Sequence, residues 1–339
     1  GLSDYITSSM SNGAILKSKL EQYPEVKQIA MGTHVFGTPG WGRLAYTDQH
    51  NVFRRFTLLV VDAHYLDLFQ INMAAGRGFI VGNGLDQRQS VILNQKAVEL
   101  FGLEDPIGNK LPGNKFGEHQ IIGVAEDFHF SSLHSTIEPL VIVQSVAPIM
   151  DGVSDVNFSD VPIPKLVFSY HGSPSKAAQV LQEAWKASFP NEHWNMQFLD
   201  QRIQAQYEAE MRIRDLVTIA TLIAAVIAAM GMLGLSMLVA RSKVKEIGIR
   251  KVMGASSISI FRLMAHGFTP QIILAILLST PLTYGLMTQW LDNFAYRTTM
   301  TITPFLLASI VSLLIACAVL SHHTVKAALT NPTQSLRNE

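Results

Sequence analysis

The chain of 339 residues has a single cysteine, Cys317, set inside an apolar run. One thiol excludes an intrachain disulfide framework and any CxxC metal or redox motif. No GxxxxGK[ST] sequence occurs, so the chain lacks the backbone cradle and lysine that hold nucleotide phosphates. A GxSxG nucleophile elbow and an HExxH zinc helix are missing as well, which removes two common hydrolase routes. The basic residues clustered beside the apolar runs are not interleaved with aromatics, and this argues against nucleic-acid binding. Charge is scarce in a patterned way: Leu216–Ala240 and Leu263–Leu291 contain no Asp, Glu, Lys or Arg. An ion- or proton-coupled secondary transporter would bury such groups within its spans, so that class is disfavoured.

What is present divides the chain. The formal net charge is zero, yet residues 1–215 carry 17 Lys+Arg against 23 Asp+Glu and residues 216–339 carry 9 against 3. The first part has the composition of an acidic soluble domain, the second that of a membrane bundle with basic ends. A membrane-spanning helix needs about 20 predominantly apolar residues. Three segments meet this: about 216–240, 266–288 and 304–323. Gly231 and Gly234 in the first are expected to permit close helix contact. Pro270 and Pro281 interrupt the second, and His322 and His323 close the third at an interface.

The short loops set an orientation. Residues 241–262 hold six Lys+Arg and one acid, whereas Thr288–Thr303 holds only Arg297 and Asp292. The positive-inside rule places the first loop and the C-terminal tail in the cytoplasm, and three spans then put the N-terminal part outside. Gly1–Ser11 has neither a basic start nor an apolar core, and the chain lacks an initiator Met, so at least one membrane helix is expected upstream.

Residues 1–212 read as an extracytoplasmic α+β domain of two mixed α/β subdomains, and residues 213–339 as an all-α bundle of three transmembrane helices. Strands are expected at Val26–Met31, Phe53–Val61, Ser90–Asn94, Ile121–Val124, Leu140–Gln144, Leu166–Tyr170 and Trp194–Leu199. Helical segments are expected at Ala14–Tyr23, Ala63–Leu68, Gln95–Phe101 (stopped by Gly102) and from Ser173-Pro174 to Phe189. Asp200 caps a further helix, expected to run without a break to Ala240. Ala147–Pro164, rich in Asp, Ser, Pro and Gly, reads as a loop or a subdomain crossover.

Two segments carry candidate chemistry. Glu126-Asp127-Phe128-His129, with His134 and Glu138 nearby, offers two His and several carboxylates that could ligate a divalent ion if they converge. A polar loop whose Asp and His cap turns is the alternative. Arg241–Ser257, RSKVKEIGIRKVMGASS, surrounds apolar Ile247, Ile249, Val252 and Met253 with Lys243, Lys245, Arg250 and Lys251. The pattern predicts a short amphipathic helix on the membrane surface, stopped near Gly254. It fits docking of a protein partner, binding of anionic membrane lipid, or a solvated basic loop that serves topology alone.

KEIGIRKVMGAS resembles the signature cytoplasmic segment of MacB/FtsX-like ABC transporter permeases. The resemblance continues in FAYRTTM (Phe294–Met300) and NPTQSLRNE (Asn331–Glu339). In the outer domain it extends over VDAHYLDLFQINMAAGRGF (Val61–Phe79), ILNQKAVELFG (Ile92–Gly102), DPIGNKL (Asp105–Leu111) and IIGVAEDFHFSSLHSTIEPLVI (Ile121–Ile142). The resemblance implies four helices per unit with the outer, MacB-like periplasmic domain between the first and second, so this chain would supply the last three of a C-terminal unit. It implies that Lys245, Glu246, Ile247, Gly248, Ile249, Arg250, Lys251, Met253, Gly254, Ala255 and Ser256 form the segment that contacts a separate ABC ATPase. ATP and Mg would be bound by that ATPase, with no cofactor in this chain.

The implied function is a permease subunit of the inner membrane that couples ATP hydrolysis to motion of its outer domain, for export, efflux or mechanotransmission. A second permease unit and a periplasmic adaptor or envelope protein are implied partners. Phe36–Asn51 and Ala147–Pro164 are expected to form the outer tip that meets the client. A non-transporting FtsX-type scaffold regulating an envelope hydrolase would look the same in its membrane part. A membrane-bound enzyme built on the Glu126–His134 cluster is a third reading.

Overall fold

The computed structural model describes residues 10, 13–37, 41–47, 52–112, 119–146, 149, 153, 155–157, 164–190 and 195–329. The chain forms two units, Gly1–Tyr207 and Glu208–Glu339. The first is mixed α/β. A helix at residues 13–20 (α1) precedes β1 (Val26–Gly32), β2 (Gly42–Thr47), β3 (Phe53–Val60), α2 (Tyr65–Leu68) and β4 (Met73–Gly76). Next come α3 (Gly84–Gln89), β5 (Ser90–Asn94), α4 (Gln95–Phe101), β6 (Gln120–Ala125), β7 (Leu140–Val143), β8 (Asp155–Asn157) and β9 (Lys165–Tyr170). Helices α5 (Pro174–Ser188) and α6 (Leu199–Ala205) complete the unit.

Seven strands form one sheet in the order β4-β6-β5-β7-β3-β2-β8. The β5–β6 and β3–β7 pairs are parallel and the others antiparallel. Alternation along β3 explains its two buried faces. Phe56, Leu58 and Val60 enter a cluster with Val91, Leu93, Val141 and Ala97 of α4. Leu59, with Val61 just beyond the strand, enters the opposite cluster with Ile92, Leu140, Ile142 and Tyr65. Strands β5 and β7 are buried along their whole length, so their apolar runs are continuous rather than alternating.

The second sheet pairs β1 with β9, antiparallel. Leu16 and Leu20 of α1 and Leu181 and Ala184 of α5 cover it around Ile29. Lys17 of α1 forms an ion pair with Asp62, just beyond β3, and so ties this layer to the larger sheet.

Asn94 organises the centre of the unit. Its Oδ1 accepts from the Ala97 N–H at 2.9 Å, capping α4, and from the Leu140 N–H of β7 at 2.8 Å, while its Nδ2 donates to the Glu138 carbonyl at 3.0 Å. A second polar anchor is the Asp86 carboxylate, which receives both Arg77 guanidinium nitrogens, the Ile80 N–H and the Ser90 hydroxyl.

The sequence expectations need four corrections here. Asn195–Phe198 makes no ladder, and Leu199 is already helical, so the expected strand at Trp194–Leu199 is not formed by its described part. Phe198, not Asp200, is the N-cap of α6, and Asp200 lies within the first turn. Helix α6 ends before Gln206 and Tyr207, and the next helix starts at Glu208, so the expected continuous helix is interrupted. The expected loop at Ala147–Pro164 contains β8, whose residues gain strand geometry only by pairing with β2. Elsewhere in that loop, and at its neighbour Phe36–Asn51, much of the chain lies outside the described residues.

The second unit is helical: α7 (Glu208–Ser242), α8 (Val244–Val252), α9 (Ser257–Leu291) and α10 (Thr303–Leu329). Three of these are long and apolar enough to cross a membrane: Glu208–Ser242, Ala265–Leu291 and Thr303–Ser321. Helix α10 packs against both α7 and α9. Hydroxyls within the spans return to the carbonyl of an earlier turn, as with Thr221 to Val217, Thr280 to Ile276 and Ser312 to Ala308. Such bonding satisfies these hydroxyl donors within the helix, as a hydrocarbon environment requires. A Cβ added at Gly231 or Gly234 would meet no atom within 4 Å, so neither glycine mediates the close helix contact expected of it in this unit. The side chains of His322 and His323, and the whole of Asn331–Glu339, lie outside the described residues.

Candidate docking segment and polar loop

The basic segment resolves into a helix with a built-in stop and restart. Helix α8 ends in a Schellman arrangement: Gly254 has φ of +87°, and the Ala255 N–H reaches back to the Arg250 carbonyl at 2.9 Å. A residue with a Cβ would be strained in this left-handed geometry, which is the physical reason for glycine there. Two residues later the Ser256 hydroxyl accepts from the Ser259 N–H and caps α9. Met-Gly-Ala-Ser is therefore the punctuation between two helices. The expected loop at 241–262 is correspondingly shorter, because α9 already begins at Ser257.

Helix α8 has two unlike faces. Ile247 and Gly248 are buried. Ile249, Val252 and Met253 are 50%, 69% and 82% exposed. Glu246 pairs with Arg250 at 2.8 Å and faces Lys243 at 4.0 Å. These exposed pairs contribute only about 0.3–0.5 kcal/mol each, so they align the helix surface more than they stabilise it. Nothing is described of the Lys245 and Lys251 side chains. Among the described residues, the other buried side chains of the unit are Ser236 near the end of α7, Ile260 and Phe268 in the first part of α9, and Ala316 and Leu320 in the later part of α10. Ser236, Ile260 and Phe268 lie in the helix portions nearest α8 in chain order.

Residues 218–322 match the FtsX-like permease C-terminal family. That stretch of the chain is similar to FtsX-like permeases. The matched residues include α8 and its Gly254–Ser256 punctuation, the second and third candidate spans, and the first from Thr218 onward. Among solved structures, the chain is similar to the periplasmic region of MacB from Actinobacillus actinomycetemcomitans, with 14% identity over 57% of this chain and 81% of that one and a TM-score of 0.39. The extracellular domain of the ABC-type transporter YknZ from Gram-positive bacteria shows 18% identity over 50% of this chain and 81% of that one, with a TM-score of 0.31. No curated protein matches the chain.

The second candidate, the polar loop after β6, is dispersed by its hydrogen bonds. Glu126 accepts from Asn72 Nδ2 at 3.2 Å. Asp127 accepts from the Lys96 N–H at 3.1 Å. Glu138 receives Arg43 Nη2 at 2.5 Å and the Thr57 hydroxyl at 3.0 Å. His129 lines a small recess with Ser132 and Ser135, while His134 Nδ1 lies 2.8 Å from the Ser132 hydroxyl. Asp127, His129 and His134 therefore do not converge, and no group of three His, Cys, Asp or Glu side chains placed to share a metal ion occurs among the described residues.

Sequence reasoning missed Tyr207. It stands at the break between α6 and α7, where the Leu133 N–H donates to its hydroxyl at 3.1 Å. A lone aromatic just before the acidic start of a long apolar helix is the only signal that could have marked it.

Proposed function

We propose that this chain is the permease subunit of an ABC-type machine. A separate ATPase docks on α8 at the cytoplasmic surface of the inner membrane, and its hydrolysis of ATP moves the extracytoplasmic first unit. The work done is export, efflux or mechanotransmission. A second permease unit, in the same polypeptide or a second copy, completes the membrane assembly, and an adaptor or envelope protein meets the outer unit.

The observation that carries this reading is the geometry of α8. One side of the helix is buried through Ile247 and Gly248, while Ile249, Val252 and Met253 stand exposed among basic residues between two membrane-length helices. Contiguous exposed aliphatic side chains on a capped, fixed helix mark an interaction surface. The excess of basic residues in this segment supports a cytoplasmic location. The 339 residues contain no phosphate-binding loop, which fits nucleotide binding by a separate ATPase.

The test is reconstitution of the chain with its partner ATPase, comparing Arg250→Glu and Gly248→Asp with wild type. Reversing one interface charge typically costs about 1–3 kcal/mol, or roughly tenfold or more in affinity. Co-purification of the ATPase should fall by that factor, and stimulation of its activity by the permease should be lost. Unchanged association together with unchanged stimulation would sink the docking role.

A further inference from the structure

The loop set aside as a metal site takes part in a different device. Besides the bond from the Leu133 N–H to the Tyr207 hydroxyl, the His134 ring stacks on the Tyr207 ring, with centroids 6.1 Å apart and planes 24° from parallel. The Ser132 hydroxyl fixes His134 through Nδ1 at 2.8 Å. A second contact holds the preceding helix. Gly37, at φ of +76°, approaches α6 so closely that a Cβ there would lie 3.2 Å from the Arg202 carbonyl carbon and from the Ile203 nitrogen.

Both contacting loops share one foundation. Phe36, next to Gly37, meets Phe69 at 4.4 Å and Phe128 at 5.7 Å with tilted rings, and Phe128 lies 5.8 Å from Phe130, all measured between ring centroids. Phe130 is buried in the cluster on one face of the seven-stranded sheet, and Phe36, Phe69 and Phe128 pack against that cluster. A displacement of α6 or Tyr207 would therefore press on the sheet through two loops rooted in the same aromatic group.

We propose that Tyr207 and Gly37 form a clamp that makes α6 and the sheet a single rigid body. The mechanical handle of the first unit is then Tyr207, the residue covalently before α7. This rests on the reading that the membrane helices drive the first unit. Tyr207 acts as a positioning residue, and the interruption of the helix at Gln206–Tyr207 is what lets its ring turn into the clamp instead of continuing a helical surface.

The experiment uses the full chain in lipid nanodiscs with Tyr207→Phe, Tyr207→Ala and Gly37→Ala. Tyr207→Phe removes only the acceptor, so the Leu133 amide should exchange hydrogen about tenfold faster. Tyr207→Ala and Gly37→Ala should speed exchange across both 131–137 and 199–205. The β5 amides should stay protected in all three, showing that the fold survives. Unchanged Leu133 exchange in Tyr207→Phe, or unchanged exchange across 199–205 in Tyr207→Ala, overturns the clamp.

In the complex with the ATPase, Tyr207→Ala should leave ATPase association intact and cut the ATP-driven displacement of a spin label on Gln87 at least twofold. Full displacement in that variant overturns the handle. Failure of the docking reading appears elsewhere, as full ATPase association in Arg250→Glu, and leaves the exchange rates untouched.

Discussion

Replacing Arg77 by methionine tests how the Arg77–Asp86 anchor holds the turn between β4 and α3. The pair is asymmetric: the Asp86 side chain is 1% exposed and that of Arg77 is 44% exposed. The Asp86 oxygens receive Arg77 at 2.7 and 2.9 Å, the Ile80 N–H at 2.9 Å and the Ser90 hydroxyl at 3.1 Å. Arg77 is the largest influence holding the Asp86 carboxyl below its usual range, and burial works against it. A carboxyl whose folded pKa lies under its unfolded value of about 3.9 contributes stability above that pH. The contribution is lost as pH falls through the folded value.

Removing one partner of a fully buried pair costs about 3–5 kcal/mol. The exposure of Arg77 lets water reach the carboxylate edge, so about 2–3 kcal/mol is expected for Arg77→Met at neutral pH. Without the guanidinium the folded pKa of Asp86 rises, and the variant loses less than wild type on acidification. The two stability curves should therefore converge below about pH 4. Urea unfolding of the detergent-solubilised chain, followed by tryptophan fluorescence across that range, measures both quantities. A difference that stays constant with pH, or no loss at neutral pH, would refute the reasoning.

Asn94→Ala should destabilise the first unit by about 2–4 kcal/mol, because it leaves the buried Ala97 and Leu140 amides and the Glu138 carbonyl without their partner. The same unfolding assay reads it, and a loss below about 1 kcal/mol would show that water replaces the amide. Lys17→Met should cost about 1–3 kcal/mol by leaving Asp62 unpaired at a largely buried site. A double-mutant cycle with Asp62→Asn should return most of that loss as coupling energy, and additive losses would show that the pair does not join the two layers.

How much was legible depended on whether a segment carried its own punctuation. The boundaries of β5 and α4 were readable because Asn94 caps the helix by its own side chain and Gly102 ends it. The three apolar helices were readable from length and composition, and α8 from its amphipathic pattern and Gly254. Strands β2 and β4 were not. GRLAYT and MAAG have little intrinsic strand preference, and they become strands through pairing with β3 and β6. The alternating run Asn195–Leu199 misled in the opposite direction, since its strand-like pattern found no partner. The helix break at Gln206–Tyr207 contains neither Gly nor Pro; its visible partners are residues about 74 positions away, in the loop holding Leu133. For the same reason the His and carboxylates after β6 could be counted in the sequence but not seen to disperse.

The pairing of β1 with β9 has a consequence for how the protein is made. Val26 and Tyr170 are register partners. A chain synthesised from its N-terminus has β1 for a long interval before its partner exists. The larger sheet can be completed once Asn157 has emerged, whereas Leu16, Leu20 and Ile29 find their cover only when Leu181 and Ala184 follow. Closing so long a loop is intrinsically slow, and apolar surface left waiting is prone to aggregate. The small two-stranded layer is therefore secured after the larger sheet during biogenesis, and the apolar face of α1 stays uncovered until α5 arrives.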